Sequence, residues 1–140
     1  MNGVRHEDLE NLSFDDASLD VVLSSDVFEH LPDAYGAHRE IFRVLCAGGR
    51  YIFTVPFMAG SERDDLRARR IGGRVEYLAE PLYHGDPVRP GEGVLVWRIF
   101  GQEMLTRLRE IGFETETVWL RIPRQGILGE GAVVFVARKP

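Results

Sequence analysis

The sequence contains very little cysteine and no long hydrophobic segment. Cys46 is the single cysteine among 140 residues, which excludes an internal disulfide and is typical of a reducing cytoplasm. No uninterrupted apolar run approaches the ~20 residues that span a bilayer. The charged residues Arg5, Glu7 and Asp8 stand where a secretory signal peptide would be apolar. We therefore expect a soluble, cytoplasmic protein without a membrane partner.

The sequence also lacks an excess of positive charge. Its formal net charge is −5, whereas binding to a nucleic-acid backbone requires a basic surface. Five arginines lie between Arg63 and Arg74, but Asp64 and Asp65 stand among them and Glu62 comes just before. This segment is therefore interpreted as a solvated amphipathic helix, and nucleic acid is not expected as a partner.

Hydrophobic periodicity predicts a single α/β domain. Apolar and β-branched residues occur at both odd and even positions of Leu19 to Ser24, which is typical of a strand covered on both faces. The full predicted series is a strand over 19–24, a helix opened by Pro32 and Asp33 and running through Leu45, a strand over 50–55, a helix over 102–111 and strands over 113–120 and 132–138. The last two strands can pair as an antiparallel ribbon.

The first predicted helix has a regular apolar stripe and a defined end. Its apolar residues recur near helical period, at Ala34, Ala37, Ile41, Val44 and Leu45. His38 and Arg39 are then expected on its polar face. Gly48 stands where a left-handed C-cap glycine belongs, so the next strand is expected to begin at Gly49.

Residues 57–98 give a weaker pattern. They are rich in proline and glycine but too apolar for a disordered tether, which predicts a long irregular excursion from the domain. A short helix over Arg63 to Arg70, ended by Gly72 and Gly73, is the regular element expected within it.

Two segments of this chain closely resemble the middle of a class I S-adenosylmethionine-dependent methyltransferase of the type 11/23-like group. They run from Phe14 to Asp33 and from Arg43 to Pro56. The similarity covers residues 5–56 strongly and 99–138 by pattern. It implies the C-terminal part of a Rossmann-like sheet, with parallel strands and an antiparallel terminal ribbon. Residues 1–140 would form one partial methyltransferase domain, with 57–98 as an insertion that builds the acceptor lid.

The resemblance also implies S-adenosylmethionine as cofactor and assigns residues to it. Asp8 corresponds to the acidic residue whose side chain accepts a hydrogen bond from the adenine amine, and the backbone N–H of Leu9 would meet the ring. The backbone at Ser24 and Ser25, just beyond the strand, would lie under the methionine portion, because ligands collect at the carboxyl ends of open α/β sheets.

The glycine-rich loop of that family is absent from these 140 residues, as is the acidic residue that holds the ribose hydroxyls. The chain is therefore expected to be the C-terminal portion of a methyltransferase, produced by truncation, a displaced start codon or gene decay, and its activity alone is doubtful. Without the preceding strands, Leu19 to Ser24 would be an open apolar edge, which favours a homo-oligomer through that strand. The alternative is a non-catalytic remnant that serves as a dimerisation or interaction module.

Candidate catalytic side chains lie in two places. If the turn after the first strand is helical, Asp26, Glu29 and His30 share a face. That face could brace the helix, supply a general base or bind a divalent ion, as an acidic-x-x-Glu-His run does in some quinone-type O-methyltransferases that look similar here. We expect no metal, and we expect His30 to face the acceptor.

The second place is the insertion, where His84 and Asp86 could hydrogen-bond a polar acceptor such as a sugar hydroxyl. The alternative is that Asp86 caps its own loop and His84 packs on Tyr83. His30, His84 and Asp86 are accordingly the predicted catalytic residues for O- or N-methylation of a small molecule or saccharide. The sequence does not identify the atom that is methylated.

Overall fold

The computed structural model describes residues 3, 5–86, 91, 93–129 and 132–140. Within these residues, the elements in chain order are β1 (Leu19–Ser25), α1 (Ala34–Val44), β2 (Leu45–Thr54), β3 (Asp65–Leu66), β4 (Ala68–Ile71), β5 (Arg74–Tyr77), β6 (Tyr83–Gly85), β7 (Gly93–Leu95), β8 (Arg98–Ile99), α2 (Glu103–Ile111), β9 (Glu114–Trp119) and β10 (Val133–Arg138). Short 3-10 turns at Phe28–His30 and Pro123–Gln125 complete the series.

A four-stranded sheet in the order β1-β2-β10-β9 organises the chain. The first two strands run parallel, with Leu23 opposite Ile52. β10 is antiparallel to β2, with Phe135 opposite Phe53, and it is also antiparallel to β9. The predicted α/β class, with a parallel pair and an antiparallel terminal ribbon, is confirmed.

Helix α1 begins at a side-chain cap. The Asp33 carboxylate accepts a hydrogen bond from the backbone N–H of Gly36 at 2.8 Å, which satisfies one of the free donors of the first turn. The helix ends at Val44, and β2 follows directly. Gly48 has a φ of +79°, as the sequence predicted, but it lies inside β2 rather than at the helix end. The register between β1 and β2 shifts at this part of β2. The prediction that Gly48 caps the end of the helix was wrong, because the helix ends at Val44 and Gly48 belongs to the strand.

The core lies on the face of the sheet that α1 and α2 cover. Both strands at the centre of the sheet point alternate residues into it, because side chains of a strand alternate between faces. The buried apolar residues of these strands and helices are Leu45, Tyr51, Phe53, Phe135, Ala137, Ala34, Ala37, Ile41, Val44, Met104 and Leu108. On the opposite face Val21 is 53% and Leu23 is 72% exposed. β1 is therefore not covered on both faces, contrary to the prediction from its apolar pattern, but it does end the described sheet, in agreement with the expected open edge.

His38 lies in this core and not on a polar helix face. Its side chain is fully buried and stacks on Phe28 with the ring centroids 4.3 Å apart. Neither ring nitrogen has a hydrogen-bond partner among the described residues. Burial, aided by the charge of Arg98, lowers the pKa of His38 to about 3, so the ring packs as a neutral aromatic.

The insertion, residues 57–98, consists of short antiparallel ribbons rather than irregular chain. Within its described residues, β3 pairs with β8, β4 with β5 and β6 with β7. The helix expected over Arg63 to Arg70 is absent from this described segment, which instead contains β3 and β4. Gly72 and Gly73 form the turn between β4 and β5, and Arg69 pairs with Glu76 across that ribbon at 2.5 Å.

A buried acidic residue fastens the insertion to the helices. Asp64 accepts hydrogen bonds from Tyr35 Oη at 2.6 Å and from the backbone N–H of Gly101 at 2.9 Å, and it pairs with Arg98 at 3.3 Å. A β-carbon at Gly101 would lie 2.3 Å from the carbonyl oxygen of Arg63. The two segments therefore meet backbone to backbone.

In the described part of the chain, neither helix has the length and apolar composition needed to cross a membrane.

Candidate functional site

The candidate site begins at the carboxyl ends of β1 and β2, the edge where open α/β sheets bind ligands. Ser25 Oγ and Thr54 Oγ1 lie 3.0 Å apart, and each is 3.2 Å from Asp26 Oδ2. Asp26 has a φ of +50° and donates its backbone N–H to the carbonyl of Thr54. Two hydroxyls and a carboxylate are thus gathered at the strand tips.

The chain does not form one helical turn over Asp26, Glu29 and His30. The chain forms a 3-10 turn at Phe28–His30, and Asp26 lies before it. Its carboxylate is engaged by the hydroxyls of Ser25 and Thr54. The condition on which Asp26, Glu29 and His30 would share a helical face is therefore not met, although the charge of Asp26 still helps to raise the pKa of Glu29.

Glu29 and His30 instead meet His84 from the insertion. His30 Nε2 lies 3.2 Å from His84 Nδ1 and 3.6 Å from Glu29 Oε1, and His84 Nδ1 lies 3.7 Å from the same oxygen. The two imidazole rings meet edge to face at 4.9 Å. Three potential ligand atoms therefore form a nearly regular triangle, although the two histidines are 54 residues apart in the chain.

The β6–β7 ribbon brings His84 to this position. His84 lies on β6 opposite Val94. The ribbon is tied to the 3-10 turn at two points, since His30 Nδ1 lies 2.9 Å from the carbonyl oxygen of Leu95 and the backbone N–H of Trp97 donates to the carbonyl of Glu29 at 2.7 Å. The ribbon and the turn therefore position the three side chains together.

The three side chains of this cluster differ in solvent exposure. The side chain of Glu29 is fully buried, whereas His30 is 15% and His84 is 40% exposed. Within the described residues, neither carboxylate oxygen of Glu29 receives a hydrogen bond. Burial raises the pKa of Glu29, and the neighbouring histidines oppose this shift. Such a cluster can exchange a proton with a bound molecule or hold a cation.

The predicted site residues thus fall into separate groups. His30 and His84 are brought into contact, and half-buried Asp86 follows one residue beyond the end of β6. Ser25 is exposed at the tip of β1. Asp8 and Leu9 lie in a turn closed by the hydrogen bond from Asn11 N–H to the carbonyl of Asp8, where the Asp8 side chain is exposed.

Two residues of this region, Thr54 and Glu29, were not predicted as site residues from the sequence. Thr54 was treated only as part of a strand, although a polar residue at the carboxyl end of a parallel strand is a usable signal. Glu29 was considered but not chosen, and its complete burial depends on neighbours from the insertion.

An open depression lies beside the strand tips. It has a volume of about 450 Å³ and is lined by Leu23, Ser24, Ser25, Ile52, Phe53, Thr54 and Val134. Its lining thus combines apolar side chains with the hydroxyl-bearing residues Ser24, Ser25 and Thr54. This combination suits a ligand with an apolar body and a polar group.

Part of the chain is similar in sequence to known methyltransferases. Residues 2–53 match the family described as "Methyltransferase domain". Over 50 residues the chain is 46% identical to sarcosine/dimethylglycine N-methyltransferase of Halorhodospira halochloris, covering 36% of this chain and 18% of that protein. Over 71 residues it is 38% identical to 27-O-demethylrifamycin SV methyltransferase of Amycolatopsis mediterranei, covering 48% of this chain and 26% of that protein.

The fold is shared with solved methyltransferases. One is the Burkholderia thailandensis 1,6-didemethyltoxoflavin-N1-methyltransferase, solved with 1,6-didemethyltoxoflavin and S-adenosylhomocysteine bound. It superposes with a TM-score of 0.55 at 22% identity, covering 94% of this chain and 48% of that chain. The predicted Rossmann-like fold is confirmed. The chain spans about a fifth to a quarter of the length of the curated relatives it matches.

Proposed function

Because this chain is related in sequence and in fold to the class I S-adenosylmethionine-dependent methyltransferases, we propose that it forms the acceptor side of such an enzyme. The reaction is O- or N-methylation of a small molecule or saccharide. The observation that carries the proposal is the convergence of His30, which lies inside the segment that matches the methyltransferase family, with His84, which lies beyond that segment. Residues 57–98 would act as the acceptor lid.

The turn at Asp8 and Leu9 and the tip of β1 at Ser25 would together hold the cofactor that the related methyltransferases use. S-adenosylmethionine supplies the methyl group and, as a sulfonium, the driving force for its transfer. Asp8 would accept a hydrogen bond from the adenine amine, and the Leu9 N–H would meet the ring. The backbone at Ser25 would hold the methionine end, and the depression beside it offers apolar surface next to hydroxyl groups.

The chain's own contribution to the reaction is to orient the acceptor and to take its proton. His30 Nδ1 faces the carbonyl of Leu95, which accepts hydrogen bonds only, so in the neutral ring Nε2 carries the lone pair. His84 is the most exposed of the three clustered side chains and is placed to meet the acceptor. Asp86 would hydrogen-bond a polar group of the same molecule.

Cofactor binding tests this proposal directly. Isothermal titration of the chain with S-adenosylhomocysteine should give saturable one-site binding, weakened at least about tenfold by Asp8→Ala, since a hydrogen bond to a charged group is lost. Asp15→Ala is the matched control, because it removes an exposed carboxylate from the turn before β1 and should leave the affinity unchanged. Absence of saturable binding to the unmodified chain would contradict the proposal.

A second candidate function is self-association through β1, with the cytoplasm as the expected location of either activity. It is favoured by one observation, namely that β1 ends the described sheet while Val21 and Leu23 remain exposed. Light scattering should then find a dimer that Leu23→Lys converts to a monomer. Ile71→Lys changes another exposed apolar residue, in β4, and should leave the dimer intact. A monomeric unmodified chain at high concentration would contradict this candidate.

A further inference from the structure

We infer that Glu29, His30 and His84 form a binding site for a divalent cation of the zinc class. Their facing atoms, one carboxylate oxygen and two imidazole nitrogens, lie 3.2, 3.6 and 3.7 Å from one another. Two ligand atoms at 2.0–2.1 Å from a tetrahedral zinc ion lie about 3.3–3.4 Å apart. The side chains therefore hold nearly the spacing that coordination requires.

The tautomer of His30 suits a cation in the cluster, which would replace the hydrogen now shared between His84 Nδ1 and His30 Nε2 at 3.2 Å. Leu95 fixes the hydrogen of His30 on Nδ1, so that Nε2 presents a lone pair to the other two atoms. A metal-bound histidine commonly donates its second ring nitrogen to a carbonyl in this way, which orients the ring and makes the bound nitrogen more basic. His30 thus already has the supporting hydrogen bond of a ligand.

The buried carboxylate of Glu29 provides a second, independent indication. Its side chain has no exposed surface, and in the described part of the chain neither oxygen receives a hydrogen bond. Its described ion pairs are with His30 and His84. A buried carboxylate without a donor is costly unless a proton or a metal ion compensates it. A divalent ion between the three atoms satisfies all of them at once.

Three protein ligands leave one position of a tetrahedral ion open, as in catalytic zinc sites. His84 forms the exposed side of the cluster, so this position faces solvent. An oxygen ligand such as a hydroxyl would fit there, and a bound cation lowers the pKa of such a group. The assignment of that hydroxyl to a methyl acceptor rests on the proposed function, but binding of the ion does not.

Cobalt is the probe for the test, because Co²⁺ replaces zinc in such sites and its visible absorption reports coordination number. The whole chain carrying Cys46→Ser, which removes the one thiol, is titrated with Co²⁺. We expect one ion per chain, with the intense bands of four or five ligands, and displacement by Zn²⁺. His84→Ala and Glu29→Gln should each weaken binding at least about tenfold.

His6→Ala is the matched control, since it removes an exposed histidine near the N-terminus and should leave the spectrum unchanged. Glu29→Gln also guards against misfolding, because it removes a buried charge and should not lower the metal-free melting temperature. Binding that persists in both ligand variants, or no binding at all, would overturn the inference. Because no S-adenosylhomocysteine is present, this outcome is separate from failure of the cofactor titration.

Discussion

The sheet and the insertion are stabilised by different kinds of contact. In the sheet, Tyr51 and Phe53 stack with centroids 4.3 Å apart, and Phe53 stacks in turn on Phe135. The insertion buries few apolar residues, namely Ala68, Val96 and Trp97, and is attached through Asp64 and its polar partners. Every residue of its strand β5 is exposed. The sheet should therefore unfold as one cooperative unit, whereas the insertion should open locally at a lower free energy.

Substitution in the sheet core should have the largest effect. Phe53→Ala removes a fully buried ring from the stack and should lower the free energy of unfolding by about 3–5 kcal/mol. Urea denaturation followed by circular dichroism measures this loss. Leu23→Ala, which changes a residue of the same sheet that is 72% exposed, should cost less than about 1 kcal/mol. Equal losses for the two variants would contradict a core confined to one face.

Substitution at the attachment of the insertion should have a smaller and more local effect. Asp64→Ala removes the acceptor of Tyr35 and Gly101 and leaves Arg98 largely buried without its acid, at a cost of about 2–3 kcal/mol. Hydrogen exchange should accelerate in the ribbons while the amides of β2 and β10 stay protected.

Asp65→Ala is the control for that experiment, because it removes the more exposed pair with Arg67 and should change stability by less than about 1 kcal/mol. Loss of protection throughout the sheet in Asp64→Ala would show that the two regions are not separable.

The smallest predicted effect concerns the pH dependence of the core. The pKa of His38 is about 3 in the folded chain, because of burial and the charge of Arg98. Between that value and about 6.5, the unfolded chain binds one more proton than the folded chain, so stability falls as pH falls. From pH 6.5 to 5.5 the unmodified chain should lose about 1 kcal/mol relative to His38→Phe. Parallel stability curves for the two proteins would disprove a neutral, buried imidazole.

Much of the sheet could be predicted because its signals are local. Asp33 caps a helix within three residues, and the apolar runs of β1 and β2 are readable without knowledge of their neighbours. The insertion was misread for the opposite reason. Charges among the arginines suggested a helix face, whereas Arg69 finds its partner Glu76 across a ribbon seven residues later.

The candidate site could be predicted only in part. His30 and His84 were both selected, but their contact depends on how β6 and β7 pair, and no local pattern encodes that pairing. His38 was placed on a polar face because its residue type is polar, and the surrounding aromatic rings reverse that preference. The burial of Glu29 could not be predicted from the sequence either, because it depends on Trp97 and its neighbours, which lie far along the chain.

The backbone contact at Gly101 limits how the protein can be altered. Any other side chain there would push the Arg63 carbonyl away and displace the start of α2 together with the ribbons. A library that diversifies the ribbons to change ligand preference should therefore hold position 101 constant. In β5, Arg74 and Val75 can be varied more freely, whereas Glu76 should be kept because it pairs with Arg69.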